Sequence, residues 1–67
     1  LRKRIATALL SLARDADTYV RSAAVDAIGL AGIVGNPAVK LLLEDTAEHD
    51  ADPDVRAEAR AILNESN

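Results

Sequence analysis

Apolar residues recur along the chain with the period of an α-helix in four places. In the first, Ile5, Ala8, Leu9, Leu12 and Ala13 fall on one face, which predicts a helix over about 1–14. It ends in the polar turn Asp15-Ala16-Asp17. The second helix, about 18–31, buries Val20, Ala23, Ala24, Ala27, Ile28 and Ala31. The Asp17 carboxylate is placed to accept the free amide protons of its first turn. Gly32 supplies the left-handed residue after its last turn, with Ile33 as the hydrophobic contact beyond. The third helix, about 37–48, buries Val39, Leu42, Leu43, Thr46 and Ala47. Asn36 caps it, and Pro37 at its first position gives up an amide proton that has no helical acceptor anyway. Asp52-Pro53 repeats that start, and the fourth helix, about 53–65, buries Val55, Ala59, Ile62 and Leu63. Gly29 sits inside the second helix at a cost of ~1 kcal/mol relative to Ala. Close approach of a neighbouring helix or loop would account for it.

The pattern repeats. Moved along by 35 residues, Asp15-Ala16-Asp17-Thr18-Tyr19-Val20-Arg21 lands on Asp50-Ala51-Asp52-Pro53-Asp54-Val55-Arg56. Ala24 lands on Ala59 and Ile28 on Leu63. The upstream helices match in pattern, Leu9 and Leu12 against Leu42 and Leu43, with a small length difference in the loop. Two helices per period mean a helical solenoid, in which each unit leaves an apolar face for its neighbour to cover. The fold expected is all-α, an α-α superhelix of about four helices, with residues 1–67 forming one repeat domain cut from something longer.

The string from Asp15 to Gly29, Asp-x-Asp-x-x-Val-Arg-x-x-Ala followed by Ala27-Ile28-Gly29, resembles HEAT repeats, in particular the short HEAT-like class found in phycobilisome lyase subunits and many bacterial and archaeal proteins. The copy from Asp50 to Leu63 keeps the core of the motif and ends before the glycine. The resemblance covers nearly the whole chain and is specific for fold. It implies that the Val-Arg helices, the second and fourth, lie outside, and that the first and third line a concave surface. It further implies a ladder between successive repeats, in which Arg21 or Arg56 pairs with Asp17 or Asp52. Independently of any family, Arg21 and Arg56 lie one helical turn beyond those aspartates and can reach their own Asp or one of the adjacent unit. Such a bond contributes ~1.5–3 kcal/mol when partly buried and ~0–1 when exposed.

Composition narrows the chemistry. Of the 33 hydrophobic residues 14 are alanine, and Phe, Trp, Met and Cys are absent, so the core is thin. Without Cys there are no disulfides, thiol nucleophiles or zinc-thiolate sites. His49 is the single histidine, set in a polar loop beside Glu48 and Asp50, with no nucleophile or orienting partner for catalysis. The run Asp50 to Asp54 begins like a calcium loop, but Val55 stands where that loop needs glycine and Ala61 where it needs glutamate. Gly29, Gly32 and Gly35 follow no phosphate-loop spacing. No enzyme activity, cofactor or metal is expected. The net charge of −3 divides into +2 over residues 1–35 and −5 over 36–67. That balance speaks against nucleic acid, and the run from Glu44 to Asp54 is a solvated surface or a docking face for a basic partner. The absence of cysteine, of a signal peptide and of a membrane-spanning run points to the cytoplasm.

Surface is what remains for function. At 100° per residue, Lys3, Thr7, Leu10 and Arg14 on the first helix and Lys40, Leu41, Glu44 and Glu48 on the third point away from the core. On helices the resemblance places on the concave side, these eight are the candidate partner contacts, while Asp17, Arg21, Asn36, Asp52 and Arg56 are structural. The expected function is a non-catalytic scaffold for protein–protein interaction, with a bilin lyase-like subunit or a small helical oligomerisation module as alternatives. Open solenoid ends also predict self-association or a monomer of low stability, with some apolar surface on both the first and the fourth helix.

Overall fold

The computed structural model describes residues 2–65, with side chains from Arg4 onward. It contains α1 (Arg2–Leu12), α2 (Thr18–Ala31), α3 (Pro37–His49) and α4 (Pro53–Glu65). Two helical hairpins, α1–α2 and α3–α4, form units 1 and 2. The units stack with α2 lying along α4, while α1 and α3 touch only lightly. The all-α repeat architecture read from the sequence is the one observed.

Side-chain caps set the helix starts. Asp17 accepts the N–H groups of Tyr19 (2.8 Å) and Val20 (3.4 Å). Asn36 does the same for Ala38 (2.9 Å) and Val39 (3.4 Å), and Asp52 for Asp54 (2.7 Å) and Val55 (3.2 Å). At the end of α2, Gly32 has φ 66° and ψ 31°, the left-handed conformation that costs glycine least. Gly29 is where α4 comes closest. A Cβ there would stand 3.1 Å from Ile62 Cδ1 and 3.2 Å from Cγ1.

The first helix ends two residues earlier than its apolar period predicts. The Arg14 and Asp15 N–H groups donate to the carbonyls of Ser11 and Leu12, tightening the last turn to three residues. At the end of α3, the Asp50 N–H instead reaches back four residues to Thr46. Leu12 therefore corresponds to Thr46 and Ala13 to Ala47, which is the length difference between the two copies.

Ala24, Val25, Ile28, Val39, Leu42, Leu43, Ala47, Val55 and Ala59 form the core together with Ala6 and Ala13. Three features depart from the periodicity. Ile5 and Leu12 of α1 are 44% and 45% exposed, and Ala8 is exposed too, whereas Val39, Leu42 and Thr46, their counterparts in α3, are buried. Leu10 is half-buried and packs against the core, so it does not belong to the outward polar face assigned to it. Val25, absent from the expected face of α2, is completely buried. All three have one cause: a helix in a stack has an apolar face toward each neighbour, and a single stripe describes only one of them.

Candidate functional site

The seam between the units is joined by Arg21. Its Nε donates to Asp50 Oδ2 at 2.9 Å and its Nη2 to Asp50 Oδ1 at 3.2 Å, a bidentate pair with side chains 14% and 7% exposed. Nη1 donates to the carbonyls of Asp15 and Ala16, both at 3.0 Å, and Nη2 also reaches the Thr18 hydroxyl at 3.2 Å. Asp50 further accepts the Asp52 N–H at 2.9 Å. Burial works against the ionised Asp50, but the hydrogen bonds from Arg21 and the Asp52 amide, with the charges of Arg21 and Arg56, outweigh it and hold its pKa below the usual carboxylate range. The bond to Asp50 raises Arg21 above its ordinary value.

A ladder therefore exists, but its acceptor differs from the expected Asp17 or Asp52. Those two carboxylates are occupied by cap amides, and the first aspartate of the motif takes the arginine. Arg56, the counterpart of Arg21, donates to the Asp50 carbonyl at 2.6 Å, as Arg21 does to that of Asp15.

Beside this seam, the N-terminal halves of α2 and α4 enclose a groove lined by Thr18, Tyr19, Ser22, Asp52, Asp54, Val55 and Glu58. None of these residues is basic. The Ser22 hydroxyl donates to the Glu58 carboxylate at 2.9 and 3.1 Å, bridging the units. Burial raises the Glu58 pKa; the Ser22 bond pulls it down, but Asp26 and Asp54 add repulsion, and the net shift is upward. Tyr19 stands at the rim, 87% exposed. The groove is thus lined by acidic side chains and one aromatic ring, with Arg21 behind it, bonded to Thr18 and near Asp52.

Of the candidate partner contacts, Thr7 and Arg14 on the α1 side and Lys40, Leu41, Glu44 and Glu48 on α3 are exposed, Leu41 at 68%. The Lys3 side chain lies outside the described residues. None of the other seven lines the acidic groove. Sequence reasoning missed Tyr19, Ser22, Asp26 and Glu58 as a group. Their signal is a second polar stripe, Tyr19-Ser22-Asp26 on α2 and Asp54-Glu58 on α4, brought face to face by the repeat. His49 Nδ1 lies 3.1 Å from Asp45 Oδ1 at the exposed end of α3. Among the described residues, no group of three His, Cys, Asp or Glu side chains has the geometry to hold a metal ion, and no helix is long and apolar enough to cross a membrane.

Three comparisons bear on kinship. The sequence profile of a family described as HEAT repeats matches residues 2–64. No curated protein and no solved structure matches the chain.

Proposed function

The chain belongs to the HEAT repeats family, and from that premise we propose that it is a non-catalytic scaffold that binds a basic segment of a partner protein on the face made by α2 and α4. HEAT repeats generally serve as protein-interaction scaffolds, and that general role is the frame for the reading. The observation that carries the finer statement is the groove between α2 and α4, where Asp54 and Glu58, with Asp26 nearby, face a common space that no lysine or arginine lines. A lysine or arginine side chain entering it would offset the repulsion that Asp26 and Asp54 add to the burial of Glu58, and Tyr19 offers a ring face for the same cation.

The resemblance implies that the partner surface is on the first and third helices, with Lys3, Thr7, Leu10, Arg14, Lys40, Leu41, Glu44 and Glu48. Two observations favour α2 and α4 instead. They are the closer pair, and a stack repeated with such a step curves toward its closer helices. Leu10 moreover is spent on packing. The bilin lyase-like alternative draws on the repeat subclass alone and gains nothing from this geometry. A nucleic-acid partner would bring phosphates to a negatively charged groove.

The test is a nuclear magnetic resonance titration of the full chain with a lysine- and arginine-rich peptide at low and high salt. Shifts clustered at Tyr19, Ser22, Asp26, Asp54 and Glu58 that weaken with salt are expected. Shifts confined to α1 and α3, or none at low salt, would overturn the reading.

A further inference from the structure

The two ends of the stack are unlike. On one side of unit 1, Ala6, Leu10 and Val25 are covered by unit 2, with Val25 fully buried. The corresponding positions of unit 2 are Lys40, Glu44 and Arg60, and all three are exposed. Arg60 also donates to the Ala47 carbonyl at 3.0 Å, closing the end of α3. Every one of these apolar stacking positions thus becomes charged at the far end. The opposite side of unit 1 has the reverse character. Leu9, Leu12, Tyr19, Val20, Ala23, Ala24 and Ala27 line an apolar groove between α1 and α2, and the counterparts of Leu12 and Val20 in unit 2, Thr46 and Val55, are buried against unit 1.

Charge marks the same side. Asp50 receives Arg21 of the unit before it. Asp15 is its counterpart: its carboxylate accepts the Asp17 N–H at 2.8 Å, as Asp50 accepts that of Asp52. Among the described residues, no ion pair engages Asp15.

We propose that the α1–α2 face is the docking site for one further helical hairpin of this repeat type, seated as unit 2 is seated on unit 1, with an arginine from its second helix on Asp15. The charged far face makes a second copy of this chain, stacked end to end, the wrong occupant: it would set Lys40, Glu44 and Arg60 against Ile5, Ala8 and Leu12. The occupant instead carries apolar residues at those three positions. This proposal does not depend on the basic partner of the α2–α4 groove: the two grooves share Tyr19, but the acidic side chains Asp54 and Glu58 line only the α2–α4 one.

The test places a copy of residues 2–35 directly ahead of Arg2 of the full chain and compares the extended protein with the chain itself. The extended protein is expected to melt higher than the chain itself. Asp15→Asn is expected to lower its Tm, and that effect should vanish when the added unit's arginine is replaced by glutamine. In the chain itself, Asp15→Asn and Ala8→Glu should leave Tm within about 3 °C, whereas Ala8→Glu should abolish the gain in the extended protein. An extended protein that melts no higher than the chain, or an Asp15 effect indifferent to the added arginine, would overturn the proposal. So would a dimer of the unextended chain that protects α1 from hydrogen exchange, because a second copy would then be the occupant.

Discussion

Arg21 and Asp50 sit 29 positions apart in sequence and meet through two hydrogen bonds, 2.9 and 3.2 Å, across the boundary between two copies of one motif. The same guanidinium closes the turn of its own unit through the carbonyls of Asp15 and Ala16. One side chain thus ties the shape of a unit to the placement of the next.

Replacing Asp50 by alanine removes that tie and the bond to the Asp52 amide. Asp15→Ala is its internal control, since Asp15 makes the same turn bond, to Asp17, without an arginine. Asp50→Ala is expected to destabilise by about 1–3 kcal/mol, and Asp15→Ala by under about 1 kcal/mol. At roughly 4–8 °C per kcal/mol for a domain of this size, thermal melts separate the two.

Opposite pKa shifts at Asp50 and Glu58 set the pH dependence. Asp50, lowered in the folded state, contributes stability that is present above the unfolded carboxylate pKa of ~3.9 and is lost as pH falls through its folded value. Glu58, raised, does the reverse: its ionisation opposes folding at neutral pH, and the cost is relieved as pH falls through its folded value. Glu58→Gln is therefore expected to raise Tm near neutral pH, with an advantage that shrinks on acidification and is gone below the unfolded glutamate pKa of ~4.3. Melts across that range check the sign, and a variant less stable than the parent near neutrality would contradict it.

Gly29 tests the contact between α2 and α4. A Cβ 3.1 Å from Ile62 requires that side chain to give way. The larger Gly29→Val should cost about 1–3 kcal/mol by overpacking, and adding Ile62→Ala should recover part of the loss. Additive losses in the two single variants would show that the residues do not share the space.

These residues also show what the sequence made legible. The caps at Asp17, Asn36 and Asp52 act over two or three residues, so local chemistry identifies them. Gly29 was legible for the same reason, since a glycine costs a helix enough to demand a nearby cause. What periodicity could not distinguish was the direction from which each face is covered. Ile5, Ala8 and Leu12 form as regular an apolar stripe as Val39, Leu42 and Thr46, but only the second stripe has a unit packed on it. The acidic groove was hidden because Ser22 and Glu58 meet only when the repeat is folded into space. The acceptor of Arg21 was missed because two aspartates sit within one turn, and only the cap bonds show which of them remains available.

The contrast between the faces of the two units leads to a test by transplantation. Lys40→Ala, Glu44→Leu and Arg60→Val together give unit 2 the side chains that unit 1 uses at Ala6, Leu10 and Val25. The new face would match the exposed side of α1 and α2, and Arg56 would face Asp15 of the next copy as Arg21 faces Asp50. Such a contact is head-to-tail, so it does not close on itself and each added copy leaves another free end. The triple variant is therefore expected to form oligomers whose size grows with concentration in sedimentation, and Asp15→Asn should weaken the growth. Helical content should stay near that of the parent, because all three substituted residues are exposed and the one bond lost is that of Arg60 to the Ala47 carbonyl at the end of α3. A folded variant that stays monomeric at concentrations where the parent does would show that Lys40, Glu44 and Arg60 are not what keeps that face from stacking.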